Sequence, residues 1–360
     1  MTPTRAQTNA KAATLRAFFE SHGALPVEPP MLQPAELLLD LYGEDIRARA
    51  YVTSDALRGE QMLRPDFTVP VVQMHMAHGA DPARYTYAGE VFRRQERDPS
   101  RANEYVQVGY EVFEREDPAA ADAEVFALIE QALEGLPVRA VTGDIGVLMA
   151  VVNGLETSDL RKRALMRHIW RPRRFRALLE QFAGRVPVGP ARQALLDGTL
   201  RNSAPLVGAR RQHEIDARIA ALRADAQVPP IAARDVDLIA ALLAISGPMP
   251  GALARLHDLS VDLPAIIPAV ARVDARRQAL AARGVDVDTL LFEASYGRVS
   301  MEYYDGFVFG FRAVDRADLP PIATGGRYDA LTRRLGQGRE IPAVGGVMRP
   351  GLMLVLEGGK

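Results

Sequence analysis

Two strand-like runs, residues 85–93 (YTYAGEVFR) and 104–113 (EYVQVGYEVF), are separated by a ten-residue polar linker. Both are rich in aromatic and β-branched residues, and such a pair reads as a long β-hairpin. Side chains on a strand alternate between its two faces. Val106, Val108, Tyr110 and Val112 therefore share one face, which suits a core. Tyr105, Gln107, Gly109 and Glu111 share the other. That second face is either solvated or, with a glycine between an amide and a carboxylate, a hollow that could hold a ligand.

The rest of the chain must accommodate this hairpin. Residues 11–21 form an amphipathic helical pattern with Leu15, Phe18 and Phe19 on one side, stopped by Gly23. Residues 27–30 (VEPP) are forced into extended backbone by their prolines. Asp117-Pro118 opens a helix with Val125, Leu128 and Ile129 on its apolar face, and Gly135 and Pro137 end it. Residues 142–284 are rich in Ala, Leu and Arg, are interrupted by prolines, and read as a mainly helical middle region. Strand signals return at 289–292, 303–311 and 322–324. Gly325-Gly326, a helix at 329–335 and an apolar stretch at 345–356 follow. Strands, helices, then strands again predict an α+β fold, one antiparallel sheet flanked by helices and interrupted by a helical insertion.

Composition narrows the function. The chain has 360 residues, enough for a substantial core, with 48% hydrophobic residues. Its net charge of −1 gives no basic excess of the kind that grips nucleic acid, so no tRNA partner is expected. Cysteine is absent, which excludes disulfides, thiolate catalysis and cysteine metal sites, and no metal site or cofactor is expected. Residues 1–9 carry no apolar leader, and no apolar run reaches the roughly 18 residues that span a bilayer, so a soluble cytoplasmic protein without a membrane partner is expected.

Three more segments carry polar groups worth weighing. Leu63-Arg64-Pro65-Asp66-Phe67-Thr68 is either a strand-to-helix turn capped by Asp66 or Thr68, or part of a site. Tyr303-Tyr304 sits in a strand-like run, where adjacent tyrosines would point to opposite sides. Gly325-Gly326-Arg327-Tyr328-Asp329 is either a strand end or a place where backbone approaches a ligand. There is no Gly-x-x-x-x-Gly-Lys phosphate loop and no His-Glu-x-x-His zinc motif.

Taken in order, these segments resemble class II aminoacyl-tRNA synthetases, specifically histidyl-tRNA synthetase. Residues 63–68 are similar to that family's Leu-Arg-Pro-Glu-Gly-Thr segment, and Phe92-Arg93 with the hairpin to its motif 2. Tyr303-Tyr304 and residues 325–329 are similar to its histidine-specific motifs, and Ala343-Val344-Gly345 to the start of motif 3. The resemblance covers about residues 10–135 and 288–356 and implies one synthetase-like domain over 1–360, with 142–284 inside it. It implies that Asp66 and Gln107 hold an ammonium group, and that Glu111 and Tyr303 or Tyr304 hold an imidazole. Thr68 would lie beside them and Tyr328 would close the pocket. Arg93 and Arg327 are candidate anion or phosphate contacts.

The pattern also departs from the synthetases. Two positions where the family carries arginines for the α-phosphate read Val299 and Leu352, with Arg298 one residue out of register. On a strand that slip reverses the face. The family's adenine-contacting glutamate reads Gln95, and the anticodon-binding domain that follows motif 3 is expected to be missing. An amino-acid pocket kept while the nucleotide machinery is lost resembles the synthetase paralogues that serve as regulatory subunits of ATP phosphoribosyltransferase. No catalytic residue is then expected. The chain would confer histidine feedback on a short-form catalytic subunit, or also activate it, as a homodimer within a hetero-octamer. The competing readings are a truncated synthetase-like enzyme forming histidyl-adenylate and a free-standing histidine-binding module.

Overall fold

The first helix runs Arg5–Ser21, six residues earlier than apolar spacing predicts. A capping box starts it. The Thr4 hydroxyl accepts from the Gln7 amide at 3.2 Å, while the Gln7 side chain accepts from the Thr4 amide at 2.8 Å. Its first turns are polar, so periodicity alone misses them. Ala12, Leu15 and Phe19 are its buried residues, and Phe18 is partly buried. In this computed structural model, residues 3–42, 46–95, 101–200, 207–208, 210–298 and 303–358 are described.

The strands are β1 (Leu25–Pro26), β2 (Leu32–Pro34), β3 (Val52–Asp55), β4 (Gly59–Leu63), β5 (Ala83–Phe92), β6 (Glu104–Phe113), β7 (Val138–Asp144), β8 (Ser246–Pro248), β9 (Leu291–Glu293), β10 (Phe307–Ala313), β11 (Ala323–Arg327) and β12 (Ala343–Met348). A nine-stranded sheet has the order β1-β5-β6-β12-β11-β10-β7-β9-β8, and β2-β4-β3 form a small second sheet. The large sheet is antiparallel except at the β1–β5 and β7–β9 pairs.

Chain order and sheet order differ. β6 pairs with β12, and β10 pairs with β7, so the late strands close the middle of the sheet between early ones. Between β7 and β9 the chain is mainly helical. Its last long helix, Ile267–Ala282, packs on the helix Pro118–Ala132. That second helix begins as the Asp117-Pro118 pair predicts, the Asp117 carboxylate accepting from the Ala120 amide at 2.9 Å.

Two strand expectations need correction. The run read as a strand over 303–311 begins only at Phe307, so Tyr303 and Tyr304 lie in the loop before it. Gly325 and Gly326 lie inside β11, not at a turn after it. A Cβ on Gly325 would stand 2.3 Å from the Phe309 ring, and one on Gly326 2.6 Å from the Phe307 carbonyl. The glycines serve close strand packing.

On one side of β6 the core is aromatic. Phe19 stacks on Tyr110 at 5.1 Å between ring centroids. Phe126 meets Phe307, Phe309 and Phe311 from β10 at 5.2–6.4 Å. Each such buried ring contributes on the order of 1.5–3 kcal/mol. The other side of β6 is equally buried but polar, and that contrast locates the candidate site.

Candidate functional site

Gln107 and Glu111 are each only 1% exposed, which rules out the solvated-face reading of this strand. Glu111 sits at the centre. Its Oε1 accepts from the Tyr87 hydroxyl at 2.8 Å and the Thr68 hydroxyl at 3.1 Å. Its Oε2 accepts from the Tyr328 hydroxyl at 2.5 Å. Hydroxyls stabilise a buried carboxylate but bring no positive charge. Burial therefore pushes the Glu111 carboxyl up to about 7, with the three hydroxyls pulling the other way. Burial, and after it the Glu111 charge, raise Tyr87 and Tyr328 well above the usual phenol range.

Each of these residues is placed by local sequence. Thr68 opens the helix Thr68–His78. Asp66 lies in the turn before it, its Oδ1 3.4 Å from the Val69 amide, while the N-cap itself is Phe67, which has no side-chain cap bond, so neither Asp66 nor Thr68 is the cap. Tyr328 is the residue between β11 and the helix Asp329–Leu335. Gly345 faces Glu111 across β12, where a Cβ would stand 1.5 Å from the carboxylate. Only hydrogen at 345 leaves room for Glu111.

Gln107 is the informative neighbour. Both its amide nitrogen and its amide oxygen are buried and make no hydrogen bond. Stranding a buried amide costs about 1–3 kcal/mol, so such a group marks a place where a partner is missing. Asp66 is buried as well, with Arg93 Nη2 3.9 Å from its Oδ2. Arg93 Nε donates to the Pro65 carbonyl at 2.6 Å, which fixes it at the mouth of the turn.

The tyrosines do not divide between core and site as strand geometry predicts. Tyr303 and Tyr304 stand in a loop with ring centroids 4.9 Å apart, and Tyr303 meets Tyr328 edge-on at 6.1 Å. Tyr304 is buried, and burial with the Glu111 charge raises its hydroxyl above the usual range. Both tyrosines thus border the pocket.

Arg327 is placed elsewhere. It is buried, donating from Nε and Nη2 to Asp122 at 3.0 and 2.7 Å, to Asp329 at 3.0 Å and to the Pro118 carbonyl at 2.8 Å. As a candidate anion contact it is corrected to a structural cation, because its donors are engaged. Asp122 also accepts from Arg276 at 2.7 Å, and Arg276 reaches Asp144 at 2.9 Å. This buried chain of charges ties the strand beside Tyr328 to the middle region. Arg298 is not on a strand either. It is 4% exposed, donates to the Ile169 carbonyl and lies 4.9 Å over the Phe175 ring. Val299 lies outside the described residues.

Sequence reasoning missed Tyr87 and Gly345. The register pairs Tyr87 with Gly109, and the Tyr87 ring fills the space a side chain at 109 would need. An aromatic residue opposite a glycine was the available signal, but it needed the hairpin register.

A larger cleft adjoins this pocket through Arg93. It encloses about 1670 Å³ and is lined by residues from the hairpin, from 170–174, from 318–320 and from 349–355. Among the described residues no group of three or more His, Cys, Asp or Glu is placed to hold a metal ion. No helix among them is long and apolar enough to cross a membrane.

Comparison with known proteins places these features. Residues 1–228 and 208–350 match the family described as histidyl-tRNA synthetase. The chain is 30% identical to the ATP phosphoribosyltransferase regulatory subunits of Brucella melitensis biotype 1 and Brucella suis biovar 1, over 96% of this chain and 96% of each relative. Its fold is similar to that of an ATP phosphoribosyltransferase regulatory subunit/histidyl-tRNA synthetase from Bacillus halodurans, with a TM-score of 0.70 at 20% identity over 99% of this chain and 81% of the other. A histidyl-tRNA synthetase from Nostoc gives 0.65 at 19% identity, over 99% and 74%.

Proposed function

Since this chain belongs to the histidyl-tRNA synthetase family, among relatives named as ATP phosphoribosyltransferase regulatory subunits, we propose that it is a non-catalytic subunit that binds histidine and confers feedback control on a short-form ATP phosphoribosyltransferase. It acts in the cytoplasm at the first step of histidine biosynthesis. It forms a homodimer within a hetero-octamer. Leu25, Met31, Leu32 and Leu57, in or near β1 and the small sheet, are exposed apolar residues that self-association would cover.

The observation that carries the reading is the unpartnered Gln107 amide buried on the same strand face as Glu111. A free amino acid supplies what these groups lack. Its ammonium would donate to Asp66 and the Gln107 oxygen, and an imidazole N–H would donate to Glu111. Thr68 and Tyr87 hold the carboxylate in place, while Tyr303, Tyr304 and Tyr328 wall the ring. The feedback follows from linkage: a ligand that binds one state of the assembly better shifts it towards that state.

Glu111→Ala tests this directly. Loss of a charged partner from a buried hydrogen bond costs about 1.5–3 kcal/mol, or roughly 10–150-fold in affinity. The histidine concentration for half-inhibition of the assembled enzyme is expected to rise by that factor, with uninhibited catalysis retained. A variant that folds, assembles and still responds at the wild-type concentration would remove histidine from this pocket.

The same carboxylate sets a pH dependence of stability. Its folded value of about 7 lies above the ordinary 4.5, so the folded chain holds this proton more tightly than the unfolded chain. Stability from this group is therefore full below pH 4.5 and is lost as pH rises towards 7, by about 3 kcal/mol in all. Glu111→Gln is expected to raise the melting temperature of the ligand-free chain at pH 8 and leave it little changed at pH 4.5. Equal effects at both pH values would mean that the carboxyl titrates normally.

A further inference from the structure

Phe67 stands where the synthetase segment similar to residues 63–68 carries a glycine. Its backbone lies at φ −99° and ψ −20°, a conformation open to any residue, so the turn does not dictate what stands there. The side chain is 1% exposed. The Arg64 guanidinium lies 3.9 Å from the centre of its ring, and the Tyr87 ring stacks on it at 4.2 Å between centroids, with 11° between their planes. One face of a ring has no room for both, so the three groups are layered with Phe67 in the middle. Cations attract aromatic faces at such distances, and stacked rings attract each other. Arg64 is itself fixed, donating from Nη1 to the Pro29 carbonyl at 2.6 Å and from Nε to the Glu90 carbonyl at 2.9 Å. Gly89 makes room for the stack: a Cβ there would stand 2.8 Å from Arg64 Nη2 and 3.2 Å from Phe67 Cζ.

The stack ends on the pocket. The Tyr87 hydroxyl donates to Glu111 at 2.8 Å. The same ring lies over the bare backbone of Gly109, where a Cβ would stand 2.1 Å from Cζ and 2.2 Å from the hydroxyl oxygen. A glycine offers no side chain for a ring to lodge against, so Gly109 sets no limit on how Tyr87 slides. The stacked ring of Phe67 sets that limit. Phe67 also directly precedes Thr68, whose hydroxyl donates to the same Glu111 oxygen at 3.1 Å. One turn of chain therefore governs two of the three hydroxyls on Glu111, Thr68 directly and Tyr87 through the stack. Tyr328 supplies the third.

We propose that Phe67 is a positioning residue of the histidine pocket, held by Arg64 and holding the Tyr87 hydroxyl on Glu111 before a ligand arrives. The inference rests on the reading that histidine meets Glu111, and adds the residue that keeps this acceptor in place. A pocket ordered in advance loses less affinity to ordering when the ligand enters. The Tyr87 bond also pulls the Glu111 carboxyl down against the effect of burial. A loosened Tyr87 leaves that carboxyl protonated to higher pH, and so a poorer acceptor for an imidazole N–H.

Phe67→Leu keeps an apolar group but removes the flat face. It is tested in the full chain, alone and together with Tyr87→Phe. Two quantities are read: histidine affinity by calorimetry, and the titration of the Glu111 carboxyl carbon by NMR, assigned by its loss in Glu111→Gln. Phe67→Leu is expected to weaken histidine binding about tenfold, the lower end for a lost hydrogen bond to a charged group. It is also expected to move the Glu111 midpoint above the wild-type value of about 7. In the Tyr87→Phe background both effects should vanish, to within about twofold in affinity, because the hydroxyl through which Phe67 acts is already gone. A lower melting temperature with wild-type affinity and wild-type midpoint would make Phe67 core packing alone and overturn the proposal. Equal losses in both backgrounds overturn it too, by showing an effect that bypasses Tyr87. If the wild-type chain takes up no histidine while Phe67→Leu still moves the Glu111 midpoint, the histidine reading falls and the positioning role stands. Should Phe67→Leu not fold, Phe67→Met fills the same space without a flat face and is judged by the same readings.

Discussion

Given histidine, ATP and labelled pyrophosphate, the chain is expected to catalyse no exchange above background. Activation of an amino acid requires cations set around the α-phosphate before the reaction begins. Each such preorganised contact is worth about 10²–10³ in rate. Two positions that the synthetase resemblance assigns to arginine are Val299 and Leu352, so the deficit is about 10⁴–10⁶. Leu352 lines the larger cleft beside the pocket. Arg298, the nearest cation in sequence to the first position, is committed to the Ile169 carbonyl and the Phe175 face. Arg93 stands by Asp66, with its Nη2 3.9 Å from the Asp66 Oδ2. Exchange within tenfold of an authentic histidyl-tRNA synthetase would return the chain to the enzyme reading.

Asp122→Ala is expected to cost the fold about 3–5 kcal/mol, the usual penalty for leaving buried charge uncompensated. Asp122 is 2% exposed and accepts from both Arg276 and Arg327. Without it, among the described residues Arg327 keeps only Asp329 and Arg276 keeps only Asp144 as carboxylate partners. The loss should be visible as a lower urea midpoint, and it should loosen Tyr328, which follows Arg327 directly. A change below about 1 kcal/mol would mean that the arginines find water or new partners.

What could be read in advance follows from range. β6 matched its predicted bounds because alternation within ten residues carried the whole signal. The pocket face of that strand was legible for the same reason, and its burial was not, since that depends on the helix Thr68–His78 and on Tyr328 from distant parts of the chain. Tyr303 and Tyr304 were drawn into a strand by their own β-propensity. Instead Asp305 turns the chain there, its carboxylate accepting from the Asp329 and Ala330 amides. Arg327 looked like an anion contact beside two glycines. Its true partner, Asp122, lies 205 positions away and on a helix face, where no local pattern reveals it.

The absence of a side chain at position 345 is what lets Glu111 stand where it does. Any side chain there would occupy the space of the Glu111 carboxylate, so position 345 can change only if position 111 changes with it. A sequence of this shape with alanine or serine at the first position must move its acid elsewhere, and its effector should then lack the imidazole donor that Glu111 would meet. If the proposed pocket is right, the pair offers a two-letter key for sorting chains of similar architecture by the ligand they accept, before any of them is purified.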